Sequence, residues 1–487
     1  TARHAGSQHD AAMQEPNEST VLADFSTPFE ADGVRWSFSK RDKSYFVQTV
    51  GRDGEEHEYR VKYTFGVEPL QQYLVEASGG RLQSLRICWD TRPKSEGGQR
   101  WFHLYPGEKI SHFDELHWTG RNQTWNFMCA ECHSTDLHKA YDAQENAYHT
   151  SFAEIDVSCE SCHGAGSKHV AWAKNGGDST DASKGLQVSL RRDSTIDWTI
   201  DPVTGSAKGS MTPPTGLQAD TCARCHSRRT RLLDDYQHGH PILDSHRVEL
   251  LSEGLYHSDG QILDEVYVYG SFLQSKMYHR GVTCTDCHDP HTTKLIAQGN
   301  ALCARCHDPQ RFDVPSHHHH SKGSKGSLCV ECHMPTRDYM VIDPRRDHSL
   351  RVPRPDLAER FGTPDACTAC HKDQSSSWAA KQVETWFGKQ RRSEFHFGEA
   401  LFAMRSGTFG AAEQLSRLIN DSTQPGIARA TALAESAPYL DETGIEGVKK
   451  GLRDADPLVR MGALRAFEAF DGPTRVQLGS VLLRDPV

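Results

Sequence analysis

No run of about 18 consecutive apolar residues, the length that spans a bilayer as a helix, occurs anywhere in the 487-residue chain. Apolar residues are scarce overall, at 36%, and the mean hydropathy is −0.65. Side chains alone would make a thin core for a length that ordinarily carries roughly two to four domains. Positive charge is in deficit. With 55 Lys and Arg against 65 Asp and Glu the formal charge is −10, which argues against nucleic acid as a partner. No export signal is visible from Thr1 onward. Of 15 cysteines only Cys88, in RICWD, stands outside a repeated motif; it reads as a small buried hydrophobe.

The other fourteen cysteines form seven copies of C-x-x-C-H. They are Cys129 and Cys132 with His133, Cys159 and Cys162 with His163, Cys222 and Cys225 with His226, and Cys284 and Cys287 with His288. Cys303 and Cys306 with His307, Cys329 and Cys332 with His333, and Cys367 and Cys370 with His371 complete the set. A zinc ribbon needs two C-x-x-C pairs per metal and no histidine fixed at the next position. A thioredoxin-like dithiol needs one pair in a βαβ setting. C-x-x-C-H is the attachment signature of c-type haem: both thiols become thioethers and the adjacent imidazole is the proximal iron ligand. The expected cofactor is therefore haem c (heme c), seven per chain. The porphyrin faces would supply the apolar surface that the composition lacks. Two propionates per haem would deepen the acidity. Covalent haem is assembled outside the bacterial inner membrane, so the reading implies a protein exported to the periplasm or the cell exterior.

Composition divides the chain into four stretches. Residues 1–19 read as an arm. Residues 20–100 hold alternating apolar and polar runs broken at GRDG and at Gly79-Gly80, the pattern of an antiparallel β module. Residues 101–375 hold every motif and are expected to be mostly α and irregular around stacked haems; the Gly-, Ser-, Asp- and Thr-rich stretch from Lys174 to Thr215 reads as a loop. Across 376–487 cysteine vanishes and helical periodicity appears. STQPGIARATALAESA aligns with DADPLVRMGALRAFEAF, Pro425 matching Pro457. The spacing predicts HEAT-like α-helical repeats, and the start of a third unit at LLRDPV leads us to expect that the repeat continues beyond Val487.

Each iron of an electron-transfer site takes a second axial ligand, His or Met. With 28 histidines, seven of them in the motifs, and 8 methionines, bis-histidine ligation is the expectation for most sites. Candidates are ranked by proximity to the motifs: His279 and His291, which bracket the fourth motif and would reach neighbouring haems; His169, beyond a Gly-rich turn; His348, in a Pro-bounded segment whose arginines would pair with propionates; one or two of His317 to His320, with His317 and His318 put forward; and, more weakly, His257. For any one of these the plainer reading is a solvated or hydrogen-bonded histidine.

The stretches HWTGRNQTWNFMCAECHST, VSCESCHGAGSKH, QSKMYHRGVTCTDCHDPH and CHMPTRDYMVIDPRRDHSLRVPRPDL together resemble a family of multihaem c-type cytochromes carrying C-terminal HEAT or TPR repeats, loosely allied to the tetrahaem and octahaem cytochromes of the hydroxylamine oxidoreductase and nitrite reductase group. The resemblance implies distal roles for His169, His279, His291 and His348. It also implies one for His9, in GSQHDAAMQ, a segment that in the family follows an upstream C-x-x-C-H. Either an eighth haem belongs before Thr1 or this member has lost it.

Two functions compete. The first is electron transfer along a haem chain, with redox proteins or copies of itself as partners, including a filament. The second is a redox enzyme of nitrogen or sulfur compounds with one open haem. No C-x-x-C-K motif, the lysine mark of pentahaem nitrite reductases, is present, so the first is favoured. No cluster of acid–base residues stands out, although DDYQHGH at Asp234 to His240 could hide one. A scaffold role for the repeats is a third, weaker reading.

Overall fold

Alternation in the first hundred residues becomes a nine-stranded antiparallel sheet, β1 (Met13–Gln14), β2 (Phe29–Ala31), β3 (Val34–Arg41), β4 (Ser44–Val50), β5 (Glu56–Phe65), β6 (Leu70–Ala77), β7 (Arg81–Ser84), β8 (Ile87–Asp90) and β9 (Arg100–His103). In this computed structural model the described residues are all but Thr1, Ser179, 191–196, 211–215, Asp235 and Asp441. The main path runs β2-β3-β4-β5-β6-β8-β9, with β1 on β5 and β7 on β6. Along β4 the side chains of Tyr45, Val47 and Thr49 are buried and those between them are not, as the two-residue period requires. The turns fall at Gly51–Gly54 and Gly79–Gly80, where GRDG and Gly-Gly stand. The sheet is larger than the small module expected over 20–100. Met13 pairs with Phe65 from within the arm, because its side chain is fully buried, and β9 runs on to His103.

Contacts group the chain into two units. The first is Thr1–Leu190 with His288–Leu295 and Asp338–Pro344; the second is Arg191–Cys287, Ile296–Arg337 and Arg345–Val487. One face of the sheet in the first unit packs Trp36, Tyr45, Val47, Tyr73, Trp89 and Trp101 into a cluster, with Phe38 stacked on Trp101 at 4.3 Å. A second cluster joins Met13, Phe65, Leu74, Trp125, Ala130 and Leu137, so the sheet also carries the first motif. Cys88 is fully buried beside Leu70, Phe102 and Ile342, and burial raises its thiol pKa well above the ordinary value. It is a packing residue, as expected.

In the second unit the stretch expected to be loop contains a hairpin, Trp198–Ile200 with Ala207–Gly209, closed around the turn-forming DPVTG. The parts of that stretch at 179, 191–196 and 211–215 lie outside the described residues. From Ser376 onward the chain is helical, through Ser376–Phe387, Phe397–Arg405, Ala411–Asn420, Gly426–Ala434, Glu442–Gly451, Pro457–Arg465 and Gly472–Gly479. Pro425 caps one helix and Pro457 opens another. Those two helices pack closely enough that a Cβ on Gly462 would lie 2.3 Å from the Ala430 carbonyl. An ion pair recurs with the repeat: Arg429 to Asp454, and Arg460 to Asp485 at 2.6 and 2.7 Å.

Candidate haem-attachment sites

The chemistry of C-x-x-C-H depends on one backbone turn. Side chains three and four apart on a helix share a face, so a single turn puts both thiols on one side with the histidine beside the first. The chain supplies such turns at Ala130–His133, Cys159–His163, Leu217–His226 and Cys329–His333. At Cys284–Asp286 the turn is a 3-10 helix fastened by a capping box between Thr283 and Asp286. At Cys303 and Cys367 the amide of the motif histidine bonds back to the first cysteine carbonyl, at 2.9 Å in both. No motif cysteine is in a disulfide, and Cys159 and Cys370 are the exposed ones.

The proximal rings are oriented through Nδ1. His163 Nδ1 meets the Val188 carbonyl at 2.9 Å, His333 Nδ1 the Arg351 carbonyl at 2.8 Å and His133 Nδ1 the Ala12 carbonyl at 3.3 Å. A carbonyl only accepts, so each ring carries its proton on Nδ1 and keeps the Nε2 lone pair for a metal. His307 Nδ1 lies 3.1 Å from the Ser206 hydroxyl. Burial lowers the pKa of His133 and His307, favouring the neutral, ligating form.

Three motif rings have a second imidazole opposite. The centroids of His163 and His291 are 6.2 Å apart with planes 16° from parallel. His333 and His317 are 6.3 Å apart at 9°, and His371 and His320 are 6.1 Å apart at 34°. A direct ring stack is much closer: His319 lies 4.0 Å from Trp386 at 9°. Two imidazoles bound through nitrogens at roughly 2 Å on opposite sides of one metal ion have centroids about 6.3 Å apart, and all three pairs have that spacing.

The other candidates fall as follows. His9 Nδ1 faces the Pro290 carbonyl at 3.2 Å, His169 Nδ1 the Lys184 carbonyl at 2.8 Å and His348 Nδ1 the Arg346 carbonyl at 2.9 Å. All three thus have the tautomer a distal ligand needs. Burial lowers the pKa of His9, His279, His291 and His348. His279 is also held toward the Leu273 carbonyl and the Asp456 carboxylate. His257 Nε2 is buried with no hydrogen-bond partner among the described residues, a costly state for a ring nitrogen unless some further group meets it. His318 differs. Its Nδ1 accepts from the His320 amide at 3.2 Å, which puts the neutral ring's proton on Nε2, and that nitrogen, like Nε2 of His257, is buried with no hydrogen-bond partner among the described residues. His320, whose Nδ1 meets the His318 carbonyl at 2.5 Å, has the favourable arrangement that sequence reasoning did not single out within the run. The arginines of 345–354 pair with protein carboxylates. Arg345 binds Glu265 at 2.6 Å, Arg346 binds Glu331 at 2.7 Å, Arg351 binds Asp259 at 3.3 Å and Arg354 binds Asp356 at 2.8 Å. Protein carboxylates already take these guanidinium groups, so they stitch the segment to its own unit.

Comparison with known proteins agrees with this chemistry. The profile of a family described as a doubled CXXCH motif matches residues 278–312. No curated protein matches the chain in sequence. Among solved structures, the crystal structure of outer cell wall cytochrome OcwA is similar over 96% of this chain and 96% of its own, with a TM-score of 0.51 and 16% sequence identity. The fold is that of a multihaem c-type cytochrome. Haem c is accordingly the cofactor that the motifs and the fold support. No helix among the described residues is long and apolar enough to cross a membrane.

Proposed function

We propose that this cytochrome is an exported electron-transfer protein, periplasmic or extracellular, holding seven haem c groups at the seven C-x-x-C-H motifs. Haem c supplies reversible one-electron chemistry at iron. The chain's residues fix each iron through the proximal imidazole, saturate it with a distal one and set its potential by burial and ligand identity. The observation that carries the reading is the recurrence of an imidazole pair at 6.1 to 6.3 Å at three motifs; such a pair would hold an iron from both sides and leave substrate no open position. We assign His291 as distal partner of His163, His317 of His333 and His320 of His371. His9, His169, His257, His279 and His348 remain distal candidates for the other sites. His318 is set aside on tautomer grounds. His291 comes three residues after His288, so one short segment supplies axial ligands to two irons. Export is supported by the name of the similar structure, an outer cell wall cytochrome. The division into an arm (1–19), a β module (20–100), a haem region (101–375) and HEAT-like repeats (376–487) is kept as the working scheme, the repeats serving to dock redox partners or further copies. The test is the ferric absorption spectrum with intact mass: seven haem units added to the polypeptide and a low-spin majority support the reading, and four or fewer haems reject it.

A second reading, a redox enzyme, draws on one cluster. Within DDYQHGH, Tyr236 has its ring 5.2 Å from His238 and 6.1 Å from His246, with the Arg224 guanidinium 4.1 Å over it. Arg224 belongs to the motif of Cys222 and Cys225, so a proton donor set lies beside one attachment site. Asp235 lies outside the described residues. Turnover assays, argued below, separate the two readings.

A further inference from the structure

The five motifs whose cysteines lie in the second unit touch one another in a regular way. Gln218, in the helix carrying Cys222 and Cys225, bonds Thr285 between Cys284 and Cys287, its Nε2 3.0 Å from the Thr285 hydroxyl and its Oε1 3.0 Å from the Thr285 amide. The thiols of Cys222 and Cys284 are within hydrogen-bonding reach. Arg305, between Cys303 and Cys306, donates to the Asp286 carbonyl at 2.5 Å, and Cys287 and Cys306 are electrostatic neighbours. Asn300, one turn before Cys303, accepts from the Cys329 amide at 2.9 Å and donates to the Ser327 carbonyl at 2.9 Å, and the sulfurs of Cys303 and Cys329 are neighbours. Cys332 in turn neighbours Cys367 and Cys370, and His317 and His320, three residues apart, stand opposite His333 and His371.

Each link joins a motif to the next one in the chain, and different residues make each link. We infer that the attachment sites of the second unit form one row in chain order, Cys222/Cys225, Cys284/Cys287, Cys303/Cys306, Cys329/Cys332, Cys367/Cys370, with its two ends at the surface. Thioether cysteines sit at the porphyrin edge, so touching cysteines mean touching edges, the shortest route for an electron between sites. His226 and His371, at the two ends, are exposed, whereas His307 and His333 within the row are half-buried. The Cys367/Cys370 end has the more open surroundings: Cys370, His371 and Lys372 are exposed in succession. The inference rests on the proposed haem attachment and deepens it.

The experiment uses purified holoprotein whose intact mass is taken first, so that a missing haem complement condemns the attachment reading and not the row. Iron positions are then located by anomalous scattering and assigned through their thioethers. The expected order of nearest irons is that of the row, and an order in which any consecutive pair is separated by another iron overturns it. In parallel, Lys372→Cys gives a reactive thiol at the proposed end, because Cys88 is buried and the motif thiols are consumed as thioethers. A photoreductant attached there is expected to reduce the protein, and to lose that ability when Cys367 and Cys370 are both changed to Ser. Undiminished reduction without the Cys367/Cys370 site overturns the placement of the row's end. If the double-Ser protein does not fold, the iron positions alone decide.

Discussion

Two histidines of one run, His318 and His320, have different partners, and ring chemistry separates them. A neutral imidazole has one proton. If Nδ1 gives it to a carbonyl, Nε2 is free to ligate; if Nδ1 accepts from an amide, Nε2 is a donor. His320 is of the first kind and His318 of the second. Replacing His317, His320 or His291 by Ala should therefore turn one low-spin ferric haem high-spin in each case, with the haem count by mass unchanged, while His318→Ala leaves the spectrum as it was. A spectral change in His318→Ala, or none in His291→Ala, would break the assignment. The covalent ligands are plain in the sequence because C-x-x-C-H is local: one turn of backbone determines it. The distal ligands are not, because a ring such as His291 meets His163 only through tertiary structure. Proximity to motifs pointed to His291 and to the histidine run, but choosing His320 over His318 needed the backbone path of the run, where His319 takes a left-handed conformation with φ 57°.

Elements follow the same division between local and distant causes. The hairpins at GRDG and Gly79–Gly80 were readable because period-2 alternation and turn residues are short-range signals. That Met13 would add a strand, and that the sheet's second face would hold the first motif, depended on which apolar surface found which partner. In the helical region the matching prolines and arginines led to the expectation of a repeat of about 32 residues; the two matched arginines, Arg429 and Arg460, each pair with an aspartate, Asp454 and Asp485. The tightest contact there is Gly462 against Ala430. Gly462→Ala should force the two helices apart and cost about 1–3 kcal/mol, seen as a lower Tm with haem content intact. Acid should loosen the same region. His396 caps the helix Phe397–Arg405 by accepting from the Gly398 amide at 3.0 Å, and burial holds its pKa down to about 4. The native ring then binds fewer protons than the unfolded one between the ordinary histidine value, about 6.5, and about 4, so stability falls as pH drops through that window and is unaffected above it. His396→Asn keeps an acceptor for the cap without a titrating group. Its Tm difference between pH 7.5 and pH 5 should be smaller than that of the parent, and an equal difference would show that His396 is not a source of the acid sensitivity.

For the molecule as a whole the question is whether its irons carry electrons onward or act on a substrate. Composition already leaned toward many cofactors, since 36% apolar residues is little for so long a chain. Which sites neighbour which was beyond the sequence, because it is set by hydrogen bonds such as Gln218 to Thr285 that span long loops. Closing both axial positions with imidazole would remove the coordination site that a substrate needs, and at three motifs a second imidazole lies at the spacing this proposal requires. The competing evidence is Tyr236 with His238, His246 and Arg224, a set able to donate protons beside one motif. The two readings part under steady-state assay of holoprotein with nitrite, hydroxylamine and tetrathionate, given a viologen donor or a dye acceptor. A conduit should exchange electrons with the dyes yet show no substrate-dependent turnover, and Tyr236→Phe should change nothing. An enzyme should turn over one of the three at about 10 per second, the ordinary scale for enzymes, and should lose much of that rate in Tyr236→Phe while keeping its full haem mass. Turnover that Tyr236→Phe abolishes would make the Cys222/Cys225 site catalytic and the rest of the row its supply line.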